Sequence, residues 1–341
     1  MRKQLPRREF IRFATTAATG LGLIGPISRA LANGFTDPVK RIGIIGLDTS
    51  HSVAFAKALN GLNPSPNYAG FSITAAYPRG SADIESSVKR LAGYTEEVKK
   101  LGIEIVGSIE ELLTKCDCIL LETNDGRPHL EQAMQVIKAG KTLFIDKPVA
   151  GTLSDVIAIY DAAAKYKVPV FSSSSLRYME TVQEVIKGKI GKVLGADTFS
   201  PATLEKTHPD LFWYGIHGIE ILFAVMGKGC KELVRVSSAN TEIVVGSWQD
   251  GRTGTFRGTR TGTHDYGGTV YGEKGNLVLG PFKGYDNLLD QIIAFFRSGV
   301  PPVSAEETLE IYTFMEAADE SKRAGGKAVL LADIYNKAKT K

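Results

Sequence analysis

The chain has 341 residues, 43% hydrophobic and 23% charged, with a formal net charge of +4. That balance describes an ordinary globular protein and excludes a disordered or collagen-like chain. Residues 1–32 hold six of the 41 Lys/Arg and one of the 37 Asp/Glu, which leaves 35 bases against 36 acids in the remainder. The basicity is therefore local, and net charge argues for neither a nucleic acid nor an anionic membrane as partner.

The first 32 residues read as a twin-arginine export signal. Arg7 and Arg8 are followed by Phe10, Ile11 and Arg12, then by a weakly apolar run over residues 13–27. Ala30-Leu31-Ala32 supplies a small-x-small cleavage pattern, with Asn33 as first mature residue. Gly20, Gly22, Gly25 and Pro26 break the run, which is too short to cross ~30 Å of hydrocarbon, so no stable membrane insertion is expected. The expected partner during export is the twin-arginine translocase, and the expected location is periplasmic or otherwise extracytoplasmic. A disordered basic tail is the alternative reading. The residues beyond the leader exceed what one core usually organises, so two domains are expected. Three cysteines make no disulfide framework, and free buried thiols are expected.

From Arg41 onward, short apolar runs alternate with amphipathic stretches, the pattern of a parallel sheet covered by helices. Strands are predicted over residues 41–46, 71–77, 103–106, 116–123, 141–145 and 168–172. Helices are predicted over 50–60, 84–101, 129–139 and 153–165. Another follows Ser108, which forms a capping box with Glu111. This is an α/β fold opening with a Rossmann-like, doubly wound parallel sheet, its ligand crevice at the carboxyl ends of the strands. Beyond residue 177, helices over 181–187 and 219–225 bracket a strand over 193–199. Alternating residues and turn glycines over 233–238, 242–248, 254–260 and 267–279 predict a large open, mainly antiparallel sheet. A final helix is predicted over 305–324. The expected divisions are the signal peptide 1–32, a Rossmann domain 38–150, an α+β substrate and oligomerisation domain 151–300, and a C-terminal helix within 301–341 packing back on the first domain. The broad sheet predicts a homo-oligomer, most simply a dimer.

The first strand runs into Gly46-Leu47-Asp48-Thr49-Ser50-His51, where a dinucleotide-binding turn normally carries three glycines. Asp48 would repel phosphate unless the loop points it away, while Thr49 and Ser50 offer hydroxyl and backbone N–H donors. After the second strand, Arg79 and Ser81 stand where an acid usually binds the adenosine ribose. They could hold a 2′-phosphate, which tilts the expectation from NAD toward NADP; an ordinary polar turn is equally compatible.

A longer constellation follows: Glu122-Thr123-Asn124, then Pro128-His129, Ala139-Gly140-Lys141 and Asp146-Lys147-Pro148. Leu176-Arg177-Tyr178 comes next, then Gly215-Ile216-His217-Gly218-Ile219-Glu220 and Ser304-Ala305-Glu306-Glu307. In this order the motifs, which run through residues 40–330, resemble the Gfo/Idh/MocA oxidoreductases, relatives of glucose–fructose oxidoreductase and inositol dehydrogenase. Their usual pattern is T-P-N-x-x-H, a helix, A-G-K-H-V, then E-K-P. Here the loop before His129 is longer and Asp146 replaces the acid of E-K-P. Trp213 stands where the family often has an acid four residues before the histidine, and Glu220 replaces the aspartate three residues after it.

The resemblance implies roles. Lys147 would orient a substrate hydroxyl and stabilise developing alkoxide, and His217 would be the general acid/base. Gly46, Leu47, Asp48, Thr49, Ser50, His51, Arg79, Thr123, Asn124, His129, Asp146, Lys147 and Pro148 would hold NAD or NADP, with Pro148 fixing the backbone direction of Lys147 through a cis bond. Arg177, Tyr178, Trp213 and Tyr214 would meet the substrate. The function implied is an exported NAD(P)-dependent oxidoreductase of a sugar, cyclitol or sugar derivative, carrying its cofactor tightly bound. The alternatives are a cofactor-free sugar-binding or scaffold protein, or a lyase or glycoside-cleaving enzyme using transient oxidation. His51, His208 and His264 show no metal-ligand spacing, so no metal site is expected.

Overall fold

The computed structural model describes residues 40–263 and 265–340; the expected leader and His264 lie outside the described residues. Strands β1 (Lys40–Ile45), β2 (Phe71–Tyr77), β3 (Glu104–Ile105), β4 (Cys118–Leu121), β5 (Thr142–Ile145) and β6 (Val170–Ser172) form one parallel sheet. Its order is β3-β2-β1-β4-β5-β6, the doubly wound arrangement, with the switch point between β1 and β4. The intervening helices are α1 (Ser50–Asn60), α2 (Glu85–Lys100), α3 (Ile109–Lys115), α4 (His129–Lys138) and α5 (Leu153–Tyr166). Local chemistry sets their starts: Ser108 and Thr152 accept the N–H groups of Glu111 and Asp155. Glu111 reaches back to the Gly107 N–H at 3.0 Å rather than to Ser108.

Each strand alternates between two cores, so the sheet is buried on both faces. Ile119, Leu121, Leu143 and Ile145 join a core with Val136, Ile137 and Val156 of α4 and α5. Ile42, Ile44, Leu120 and Phe144 face the other way, against Phe55 of α1. That second face is closed by a late helix absent from the sequence prediction, α9 (Asp286–Ser298), of which Leu288, Leu289, Ile292, Ile293, Phe295 and Phe296 are buried. The first sheet extends beyond residue 150, through α5 and β6 to Ser172.

The chain continues through α6 (Glu180–Ile186), β7 (Val193–Pro201), α7 (Asp210–Trp213), α8 (Ile216–Met226), β8 (Cys230–Ser237), β9 (Thr241–Trp248), β10 (Thr253–Thr259), β11 (Gly267–Gly272) and β12 (Gly275–Leu279). It ends with α9 (Asp286–Ser298), α10 (Ala305–Arg323), β13 (Val329–Leu330) and α11 (Leu331–Lys339). The second sheet runs β12-β11-β7-β10-β9-β8-β13. All its pairs are antiparallel except β7 with β10, which are parallel. The span 267–279 is a hairpin, not a single strand. Helices α8 and α10 pack on this sheet, and α10 also meets α5 and β6. No described helix is long and apolar enough to cross a membrane. Cys116, Cys118 and Cys230 are buried and free.

Candidate active site

The crevice opens at the carboxyl ends of β1, β4 and β5. Gly46 has φ +94°, and a Cβ there would stand 2.3 Å from the Thr123 backbone nitrogen, so this glycine serves the close approach of two loops. Leu47 is buried. Asp48 is buried too, accepting from the Asn124 N–H at 3.0 Å and the Ser87 hydroxyl at 2.6 Å. Burial raises its carboxyl and these bonds restrain the rise. The carboxylate thus points away from the crevice. Thr49 caps α1, accepting the Ser52 N–H at 3.4 Å, and the Ser50 and Tyr285 hydroxyls stand 3.2 Å apart.

A cavity of about 230 Å³ lies here, lined by Thr49, Ser50, His51, Asn124, Asp146, Lys147, Trp213, Tyr214 and His217 among others. The peptide bond from Lys147 to Pro148 is cis. The Lys147 ammonium stands 5.9 Å from the Trp213 ring centre and 5.6 Å from that of Tyr214. Burial lowers its pKa, opposed by Asp146 and Glu122. His217 is buried in the first turn of α8, its Nδ1 2.7 Å from the Ser174 hydroxyl oxygen. Tyr214 and Tyr266 lie edge-on to its ring at 5.6 and 5.7 Å. Burial first, and the Lys147 charge second, hold the imidazole well below its ordinary pKa. An ammonium and a neutral imidazole lining one small cavity can hold a hydroxyl oxygen and accept its proton.

Other expected site residues fall outside this cavity. Arg79 is exposed and lies outside it, and Ser81 donates its hydroxyl to Asp125, so the pair is not presented together to a 2′-phosphate. The Thr123 hydroxyl donates to Gln132. His129 is fully buried, its nitrogens 2.8 Å from the Thr123 carbonyl and 3.2 Å from that of Val149; it ties loops together. Arg177 is buried in ion pairs with Glu220 at 2.8 Å and Glu307 at 2.6 Å and does not line the cavity. Tyr178 is buried in the core under α9. Pro148 does not line the cavity.

Sequence reasoning missed Ser86, Arg90, Ser175, Tyr266, Phe282 and Tyr285, which complete the lining, and Ser174, which positions His217. Only the serine run from Ser172 to Ser175, directly before the Leu176-Arg177-Tyr178 motif, hinted at any of them. Histidine spacing suggested no metal set, yet the fold brings His51, Glu122 and Asp146 together, with ligand atoms all within 4.8 Å of one another.

Residues 40–174 match the family model GFO_IDH_MocA, the oxidoreductase family with an NAD-binding Rossmann fold. An uncharacterized oxidoreductase of Streptococcus pneumoniae is 25% identical over 160 residues, 42% of this chain and 43% of that protein. The match thus spans less than half of the relative's length. Among solved structures, a probable dehydrogenase from Thermotoga maritima superposes with TM-score 0.68 at 20% identity, covering 86% of this chain and 99% of its own. Scyllo-inositol dehydrogenase from Lactobacillus casei, solved with NAD(H) and scyllo-inositol, gives 0.67 at 16%, again covering 86% and 99%. At these identities the likeness establishes the two-domain fold. The family match covers residues 40–174, less than half of the chain, and the order of the first sheet is that of the Rossmann fold the family model describes.

Proposed function

We propose that the protein is an exported nicotinamide-dependent oxidoreductase acting on a hydroxyl of a sugar, cyclitol or sugar derivative. The observation that carries this is the meeting of Lys147 and a neutral His217 in one cavity at the carboxyl ends of a doubly wound sheet. The donor set fits a pyrophosphate-bearing cofactor. The α1 N-terminus, the Ser50 and Ser86 hydroxyls, Asn124 and the exposed Arg90 gather at the same cavity. Asp48, the acid of the loop between β1 and α1, is turned inward. A bound nicotinamide would supply the hydride acceptor. Lys147 would hold the substrate oxygen, and His217, positioned by Ser174, would take its proton. Trp213, Tyr214 and Tyr266 offer aromatic surfaces to the apolar C–H faces of a ring substrate.

A polar bridge supports tight retention. Asp125, after β4, accepts from Ser81, after β2, and Arg127 pairs with both Asp125 and Asp83 at 2.6 and 2.7 Å. These two loops flank β1, across which a dinucleotide lies in this fold. Tight retention suits the export inferred from residues 1–32, since the twin-arginine translocase passes folded, loaded proteins to a compartment without free nicotinamide. The proposed assembly is a homo-oligomer through the open face of the second sheet, where Phe199, Tyr271 and Val278 are exposed.

The test is turnover on a panel of cyclitols and aldoses, followed by the near-ultraviolet absorbance of reduced nicotinamide. Lys147→Ala and His217→Ala should each lower kcat by roughly 10²–10⁴-fold while bound nucleotide is retained. Full activity in both variants would rule the reading out.

A further inference from the structure

Glu122 has no place in the chemistry above, yet it is one of the most deeply buried charged groups near the cavity. It is 0% exposed, and neither of its carboxylate oxygens has a hydrogen-bond partner. His51 Nδ1 and Asp146 Oδ2, also buried, are unpartnered in the same way. Unpaired buried carboxylates are costly, and the nearby Lys147 ammonium makes no hydrogen bond to these three carboxylate oxygens, which leaves them open to a further cation.

We propose that His51, Glu122 and Asp146 bind a single divalent transition-metal ion whose open coordination position faces the Lys147 cavity. The three ligands come from three elements that converge at the switch point: the first turn of α1 and the ends of β4 and β5. His51 Nδ1 lies 3.1 Å from Asp146 Oδ1 and 3.9 Å from Glu122 Oε2. The His51–Asp146 contact is within ion-pair distance, yet His51 Nδ1 has no hydrogen-bond partner. Supports from outside the cluster hold the ligands. Asp146 Oδ1 also accepts the Lys147 N–H at 2.8 Å, and the His51 ring lies against Tyr285 at 4.3 Å and Phe55 at 5.7 Å.

One imidazole and two carboxylates suit zinc or manganese, and three protein ligands with a vacant fourth position is the pattern of catalytic rather than structural sites. His51 and Asp146 line the cavity, so a substrate oxygen there would reach the open position beside the Lys147 ammonium. The ion would then share with Lys147 the task of polarising that oxygen.

The test uses the purified full chain, stripped with a chelator and titrated with zinc or manganese chloride alone. Calorimetry should give one ion per chain, and the ion should raise the melting temperature. Glu122→Gln, which keeps shape and removes the charge, should weaken binding on the order of 100-fold and abolish the melting shift. His51→Asn should do the same if the first variant folds poorly. Absence of stoichiometric binding by the wild-type chain overturns the proposal, as does equal binding by both variants. So does a Glu122→Gln chain that melts higher while the wild type ignores metal, because the carboxyls would then be sharing a proton. A chain that binds metal but no nucleotide leaves this site standing and removes the nicotinamide reading instead.

Discussion

His217 is the residue whose environment says most about chemistry. It is buried, it lies beside the Lys147 ammonium, and its Nδ1 meets Ser174. Burial and the neighbouring charge act in one direction, favouring the neutral ring. Its pKa lies well below 6.5, so the base form is present throughout neutral solution and is lost only in acid. The expected kcat/KM profile is therefore level as pH falls from neutral through 6.5, with the acid limb below that value. An acid limb centred above 6.5 would mean that His217 is protonated under working conditions and is not the base.

Elements place these residues, and one loop pair carries the clearest consequence. The bridge of Ser81, Asp125, Arg127 and Asp83 joins the loops after β2 and β4. From the other side, His208 accepts the Gly126 N–H at 3.1 Å and packs on Trp213, with ring centres 4.9 Å apart. If the bridge retains the cofactor, Arg127→Ala should speed nucleotide dissociation by tenfold or more, on the order of 1.4 kcal/mol, with little change in kcat. Stopped-flow displacement by excess nucleotide measures this; an unchanged off-rate would leave the bridge a purely structural contact.

The first sheet was legible in the sequence because each strand is a short apolar run bounded by turn residues. Residues 71–77 coincide with β2, and residues 50–60 with α1. Helix α8 begins at Ile216, three residues earlier than predicted. Gly218, within this early turn, is demanded by packing: a Cβ there would stand 2.5 Å from the Phe256 ring. That early start puts His217 on a helical turn. Helix α9 is absent from the sequence prediction although its apolar spacing is regular; its first residue follows Tyr285, which makes no side-chain cap hydrogen bond to mark the start. Lys147 and His217 share a cavity only through tertiary folding, and the resemblance rather than periodicity picked them out. Glu122 reads locally as the polar end of a strand; its isolation from any partner is visible only in three dimensions.

At the scale of the whole molecule, buried charge ties distant segments together. Arg235 on β8 is 1% exposed and meets Glu242 of β9, Asp210 of α7 and Asp319 of α10. Arg177 likewise joins the turn after β6 to Glu220 of α8 and Glu307 of α10. Removing the cation from such a network strands its carboxylates, which costs more than the intact network contributes. Arg235→Ala should destabilise the fold by about 3–5 kcal/mol in denaturant titration, whereas an exposed change such as Lys337→Ala should stay within about 0.5 kcal/mol. Equal effects would show that the network is not a structural anchor.

We infer that the whole molecule, despite its altered glycine loop, holds a nicotinamide cofactor tightly. The direct test is mass-spectrometric identification of the nucleotide released when the purified chain is denatured. The expected result is NAD or NADP in equimolar amount with the chain. A chain that releases no nucleotide, and that binds neither dinucleotide in calorimetry, would contradict it.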